Sequence, residues 1–376
     1  LRGYLATRWN YLTQENETFT HDDLGRLTHW AGDSGGGWSV HYSYDDIGNL
    51  ATRVRSLPEG GSSTETFTSG PVDGSPTGGP HALTKIAFDS STGSWSTYNW
   101  YDGAGRQVRA DDRHTVSYTD FDLPRTITAG LGGNTVWSFG YDAAHRRALK
   151  SDSWGHSTVY VGHLYEKRTA ANGVTHVMYV QGEGGRVVAQ VTQADGGGSP
   201  PVDYIHSDQL GSTTSVTSSD NGSTQMRFDP FGLRIQTSGP PSTDVNPLPR
   251  VTLGFTGQEE DEEGLGLINM NGRIYDPYLM RFLTPDPFVT RPLNSQEYNR
   301  YGYANNSPFR FTDTTGFQDD GLVITRSVNG DSGQGGQGDN PPNDVPEPEP
   351  SPPQPAPPQP EHLQECEGGS GGENAP

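Results

Sequence analysis

The residues able to do chemistry crowd into one stretch, Gly254 to Phe317. Its phrases are Gly254-Phe255-Thr256-Gly257-Gln258, Gly272-Arg273-Ile274-Tyr275-Asp276-Pro277, Arg281-Phe282-Leu283-Thr284-Pro285-Asp286-Pro287, Tyr301-Gly302-Tyr303-Ala304-Asn305-Asn306-Ser307-Pro308 and Asp313-Thr314-Thr315-Gly316-Phe317. Carboxylates and arginines are the residue types of acid–base work. Two carboxylates held close cannot both ionise easily, so one keeps a proton while the other acts as base. The ionised one activates water; the protonated one polarises a carbonyl and later protonates a leaving amine. A nearby arginine selects which carboxylate stays charged and can stabilise an oxyanion.

Other arrangements carry less. Asp276, in Tyr-Asp-Pro, reads as turn chemistry. Gly32-Asp33-Ser34-Gly35-Gly36 copies the nucleophile phrase of trypsin-like proteases. It lies between two repeats, the order His, Asp, Ser is absent, and a hairpin turn is expected there. The run Glu259-Glu260-Asp261-Glu262-Glu263 lacks the alternating oxygen ligands and fixed glycine of a calcium loop and reads as a solvated face. His163 and Glu166 read as a surface pair on a strand, without partner ligands. No glycine loop ends in the lysine that cradles phosphate. The sole cysteine, Cys366, excludes a disulfide framework and a cysteine-based metal site. The expectation is therefore no cofactor and no metal.

The elements that must position the stretch announce themselves by repetition. His21-Asp22-Asp23-Leu24-Gly25-Arg26-Leu27 is echoed by Tyr44-Asp45-Asp46-Ile47-Gly48-Asn49-Leu50. Tyr101-Asp102-Gly103-Ala104-Gly105-Arg106, Phe121-Asp122-Leu123-Pro124-Arg125 and Tyr141-Asp142-Ala143-Ala144-His145-Arg146 follow at a regular spacing. Self-similar text at a fixed period marks a repeat architecture. In each unit the aromatic packs on a neighbouring strand, Asp caps a turn, Gly accepts positive φ, and an alternating strand resumes, as in Thr135-Val136-Trp137-Ser138-Phe139. A lone hairpin is barely stable in water, so the units must stack. The fold class is all-β: stacked hairpins in a curved sheet.

Composition agrees. Hydrophobic content is 30%, with 50 glycines and 17 tyrosines, which suits short strands and turns. No apolar run approaches the ~18 residues of a membrane-spanning helix. The net charge of −21 argues against a nucleic-acid surface. The chain begins at Leu1 and reads as a fragment or a processed piece. Residues 1–235 read as repeats, with an exposed Gly/Ser/Pro-rich loop at 57–80 and another loop at 196–201, 236–253 as a linker, and 254–317 as the core of the chain. Residues 318–376 carry eleven acidic residues against one basic residue, Arg326, and are proline-dense. That tail is expected to be disordered and partly polyproline II, because it lacks the apolar residues to offset its ordering entropy.

The Tyr-Asp-x-x-Gly-Arg/Asn-Leu units resemble the YD repeats of RHS (rearrangement hot spot) proteins, and the phrases of 254–317 resemble the RHS-associated core in order and spacing. The segments Tyr204–Thr213 and Phe228–Gly232 resemble the text that precedes that core. The resemblance covers roughly residues 19–317 and implies a sheet strip that spirals into a hollow shell. Many members cut their own chain just after the core, at a site resembling Asp-Pro-x-Gly-Leu, using an arginine and two aspartates. Carried over by motif, these are Arg273, Asp286 and Asp313, and the scissile bond is Phe317–Gln318. Here Thr314 stands in the place of proline and Phe317 in that of leucine. The first change releases a restriction on the turn without removing an acid or a base. The resemblance implies a secreted or cell-surface shell that encloses its own C-terminal segment, most often a toxin, and releases it by aspartyl-type self-cleavage. A second shell-forming or secretion-apparatus protein is an implied partner.

The alternative is a cell-surface structural protein without catalysis, binding a carbohydrate or a protein. Trp30, Trp38, Trp95, Trp100, Trp137 and Trp154 lie among the repeats and could stack sugars, although cross-strand packing is the plainer reading. A piece of this length is too short for a complete shell, so an open strip with the core curled at one end is expected.

Overall fold

Alternation along each strand sends one set of side chains inward and the other to solvent. In Glu15–His21 the inward set is Glu15, Glu17 and Phe19; in Trp38–Tyr44 it is Trp38, Val40 and Tyr42. The computed structural model describes residues 4–317, apart from 11–12, 73–77, 112, 131–134, 221, 238, 242–249 and 262–264. Twenty strands, from Thr7–Asn10 to Gly222–Gln225, form one sheet in which each strand runs antiparallel to the next in sequence. A two-stranded piece, Arg227–Phe228 with Arg234–Ile235, leads to a four-stranded sheet of Glu259–Asp261, Leu267–Asn269, Ile274–Asp276 and Arg281–Phe282. The only helical turns among the described residues are short 3-10 turns. The all-β expectation holds.

The repeat turns are built as their residues dictate. Asp22 Oδ1 accepts the backbone N–H groups of Leu24 and Arg26 at 3.0 and 2.9 Å, its Oδ2 accepts from Arg26 Nε at 2.7 Å, and Gly25 takes φ +86°. Asp45, Asp102 and Asp142 repeat the arrangement. Asp208 and Asp229, in the phrases ahead of the core, cap turns in the same way, and so does Asp152. The sequence reading passed over Asp152, because Ser151 precedes it where the other repeats carry an aromatic.

A bulge stands before many of the repeat turns, for example at Ser43/Tyr44, Gly140/Tyr141 and Ser117/Tyr118. In the last of these Thr119 Oγ1 accepts from Leu123 N, and the expected cap, Asp122, instead takes the positive φ of +63°. Bulges bend the strand and strengthen its twist. Each turn's tyrosine then reaches back to an earlier strand. The hydroxyls of Tyr44, Tyr118 and Tyr141 donate to the carbonyls of Leu27, Gln107 and Pro124 at 2.7, 2.6 and 2.8 Å.

Three expectations about layout are corrected. First, 57–80 is not one loop: Ser62–Ser69 is a strand paired on both sides, with Glu65 and Phe67 buried. The serines and threonines that make up the rest of the strand, of which Ser62 and Thr66 are exposed, concealed the inward pair. Second, the core does not sit at one end. Arg310 reaches Tyr4, Asn299 reaches Gly48, Arg281 reaches His81 and Tyr301 reaches Gly105, so the strip wraps along its length around 254–317. Wall and core share apolar clusters, one joining Phe19, Trp30 and Ile86 to Leu279 and Phe309. Third, the acidic run is not solvated where it is described. Glu260 and Asp261 are buried, and Arg147 and Lys150 of the wall lie 2.9 Å from Asp261. A charge taken from water must be paired, and the partners were distant in sequence. Glu262 and Glu263 lie outside the described residues, as do residues 238 and 242–249 of the linker and the whole tail, 318–376, with Cys366.

Candidate active site

Three turns converge on one guanidinium. Arg273 follows the tight turn at Asn271, which takes φ +63°, and opens the strand Ile274–Asp276. Asp286 follows Arg281–Phe282, where its Oδ1 accepts from Phe288 N at 2.9 Å. Asp313 opens the final turn, its Oδ1 accepting from Gly316 N at 2.6 Å. The sequence-assigned residues come together: Arg273 Nη2 lies 2.9 Å from Asp286 Oδ2 and 3.3 Å from Asp313 Oδ2. One nitrogen therefore serves both carboxylates. All three residues are buried.

The guanidinium is fixed on every side. Nη1 donates to Arg300 O at 2.9 Å, Nε donates to Gly316 O, and the Phe282 ring lies 3.6 Å below the guanidinium carbon. Arg300 was missed by the sequence reading. Its carbonyl also accepts from Asp286 N at 2.8 Å, and its own guanidinium donates to Asp286 O at 3.0 Å. Backbone carbonyls leave no signature in residue type. Burial pushes the Asp286 carboxyl above the usual carboxylate range, against the opposing pull of Arg273. A cavity of about 40 Å³ lies among Arg273, Asp286, Asn299, Arg300, Asp313 and Phe317. That is room for a water molecule.

The segment Asp313–Phe317, with Thr314 at its second position, is held by a set of hydrogen bonds. Thr314 O accepts from Gln258 Nε2 at 3.0 Å and from Asn271 Nδ2 at 3.3 Å, and Gly272 N donates to Thr315 O at 2.8 Å. Gly316 takes φ +77°, with the Met270 carbonyl pressed where a Cβ would go. Phe317 stands edge-on to Phe288, ring centroids 6.1 Å apart. Gln318, the other half of the assigned bond, lies outside the described residues.

The weaker candidates resolve simply. Asp276 is a turn cap, accepting from Tyr278 and Leu279 N, and it also pairs with Arg113 of the wall. The Ser34 hydroxyl donates to Glu15 while Asp33 caps Asn16 N, as a turn requires. His163 and Glu166 are not a surface pair. His163 is exposed, whereas Glu166 points inward to Arg168 and Tyr179. Trp137 is buried with Lys150 over its ring, and Trp30 and Trp38 pack edge to face in the core, so none of them is an open sugar platform. Among the described residues no cluster of three or more His, Cys, Asp or Glu is placed to hold a metal, and no helix is long and apolar enough to cross a membrane.

Comparison with known proteins bears on the fold that carries this geometry. Residues 97–309 match the Teneurin YD-shell family model. The chain is 24% identical over 288 residues to the tRNA3(Ser)-specific nuclease WapA of Bacillus spizizenii, covering 74% of this chain and 11% of that protein. It is 35% identical over 109 residues to salivary gland surface protein 1 of Aedes aegypti, covering 29% of this chain and 3% of that one. Among solved structures, a TcdB2-TccC3 complex aligns with a TM-score of 0.54 at 16% identity, over 82% of this chain and 18% of that one. The Photorhabdus luminescens Tc holotoxin pore aligns with a TM-score of 0.55 at 16% identity, over 86% and 18%. The chain thus spans a small part of each of these proteins.

Proposed function

The chain belongs to the Teneurin YD-shell family, as an RHS/YD-repeat shell protein, and from that premise we propose that it is a stretch of toxin-enclosing wall with its plug, which releases a C-terminal polypeptide by cutting itself between Phe317 and Gln318. The observation that carries the reading is the meeting of Asp286 and Asp313 on Arg273 Nη2, three residues whose turns lie far apart in sequence.

Asp286, which burial biases toward its protonated form, is the acid, and Asp313 is the base. Asp313 takes a proton from water. The water oxygen adds to the Phe317 carbonyl carbon, the carbon–nitrogen bond to Gln318 breaks, and Asp286 gives its proton to the leaving amine. The products are a carboxylic acid on Phe317 and a free amine on Gln318. Arg273 keeps Asp313 ionised and steadies the developing oxyanion. Because the substrate is the same chain, its positioning entropy is already met. A wall around the cargo keeps it from its target and from proteases until release.

The neighbours' two-component complexes support a second protein that completes the wall, and the surface and toxin names among the relatives support a secreted or cell-surface setting. The test is to express residues 1–376 and weigh the fragments. Wild type should yield a fragment beginning at Gln318, and Asp286→Asn should stay whole. A wild type that stays whole across about pH 4 to 8 removes the cutting role and leaves the wall. Cleavage that persists in Asp286→Asn rejects the acid assignment.

A second reading, glycan binding by the outer surface, is favoured by the exposed rings of Trp95, stacked on Phe88, and Trp154. A glycan array on the intact chain and on Trp95→Ala would decide it.

A further inference from the structure

The core stretch closes on Phe317. The ring needs more room than leucine takes, and the structure shows where the room comes from. A Cβ built on Gly272 would fall on three carbons of the Phe317 ring, well inside van der Waals contact. Gly272 has no left-handed backbone angle, so the backbone itself would accept any side chain there. The ring alone demands glycine. Gly316 is the opposite case, since its φ of +77° and the Met270 carbonyl both require glycine whatever stands at 317.

The other wall of this seat is Phe288. Its ring meets Phe317 edge-on at 83°, and its backbone N–H is held by Asp286 Oδ1 at 2.9 Å. Gly272 in turn precedes Arg273 and donates its N–H to Thr315 O at 2.8 Å. Backbone hydrogen bonds and chain connectivity thus join floor and wall of the seat to the residues that bring the acid and the guanidinium, although the Phe288 ring itself is half exposed.

We propose that Gly272 and Phe288 form a specificity pocket that seats the Phe317 ring and so sets the position of the bond that follows it, with Gly272 the residue that fits the pocket to an aromatic. This rests on the self-cleavage reading for its consequence, and on side-chain geometry alone for the pairing. Gly272 is a positioning residue; it touches neither the acid nor the base.

The experiment is a double-mutant cycle on the full 376-residue chain, with two readouts: the fragment released after Phe317, weighed by mass spectrometry, and the thermal midpoint of the chain. Gly272→Ala should slow release about tenfold, the usual scale for an overpacked contact. Phe317→Leu should change it about threefold or less, since a smaller apolar side chain still fits. In the Gly272→Ala/Phe317→Leu double variant release should return to within about threefold of Phe317→Leu alone, because residues in contact are not additive. A double variant as slow as Gly272→Ala overturns the pocket, as does a Gly272→Ala chain that cuts like wild type. If wild type does not cut at all, the self-cleavage reading fails, and the thermal midpoints still decide the pairing: the midpoint lowered by Gly272→Ala recovers in the double variant if the ring is the obstacle, and stays low if it is not.

Discussion

Asp276, wholly buried in the plug, grips Arg113 of the wall with both oxygens, Oδ2 to Nη1 at 2.5 Å and Oδ1 to Nη2 at 3.1 Å. The same carboxylate caps the turn at Tyr278 and Leu279. One side chain therefore shapes the plug locally and ties it to the wall 163 positions earlier. Breaking a buried pair from one side leaves the other charge stranded, at a cost of about 3–5 kcal/mol. Arg113 retains some solvent contact, which places the loss near the lower end. Asp276→Ala should lower the unfolding free energy by about 3 kcal/mol in urea titration. Asp276→Asn keeps an acceptor for the two amides and should lose less than Asp276→Ala. Equal losses in the two variants would show that the caps contribute little.

The tyrosine ties of the repeats give a second test. Tyr44, Tyr118 and Tyr141 each donate a hydroxyl to a carbonyl on an earlier strand, so the ring contributes packing and the hydroxyl a directed bond. Tyr→Phe at any of the three keeps the ring and should cost about 1 kcal/mol, the net worth of a buried hydrogen bond. Tyr204→Phe, on an exposed ring, should move stability by less than about 0.5 kcal/mol. If all four variants behave alike, the hydroxyls are not what fastens one hairpin to the next.

What the sequence made legible follows from how far each interaction reaches. The turns at Asp22, Asp45, Asp102 and Asp142 are closed by partners two and four residues on, so their residue types alone betray them. That Arg273, Asp286 and Asp313 meet was legible because whole phrases, not single residues, carry them. The inward charges were hidden. Asp261 meets Arg147 across 114 positions, and nothing near Asp261 in sequence separates a buried acid from a solvated one. The strand Ser62–Ser69 was lost to composition, since its Ser and Thr content outweighed the alternation that buries Glu65 and Phe67. Arg300 escaped because its backbone carbonyl, rather than its side chain, binds Arg273.

The proposed division between acid and base makes a directional claim about pH. Burial raises the Asp286 carboxyl, so its proton is lost only as pH climbs past the ordinary carboxylate range. An acid that must be protonated works below its own pKa, so self-cleavage should slow as pH rises through that raised value. Release from the 376-residue chain, followed over time at a series of pH values, should therefore fall away toward alkaline pH. Asp313→Asn should abolish cleavage at every pH, like Asp286→Asn. A rate that only increases toward alkaline pH would contradict the assignment of Asp286 as the acid.

His114 sets how the wall itself responds to acid. The ring is buried beside Arg113 and Asp276, and neither nitrogen has a hydrogen-bond partner among the described residues. Burial first, and then the Arg113 charge, hold its pKa down at about 4, with Asp276 opposing, while the unfolded chain titrates near the ordinary value of 6.5. Above that ordinary value both states are neutral and the histidine exacts no penalty. As pH falls below it the unfolded state binds a proton that the folded state refuses, so stability drops until the folded pKa is reached. The gap between the two values corresponds to at most about 3 kcal/mol. His21, His29 and His81 are depressed as well and act with the same sign. Urea titrations at about pH 7, 5.5 and 4.5 should show wild type losing stability steadily, and His114→Leu, which removes the titrating group, losing distinctly less. An identical slope in the two proteins would move the acid sensitivity to the other three histidines and the carboxylates.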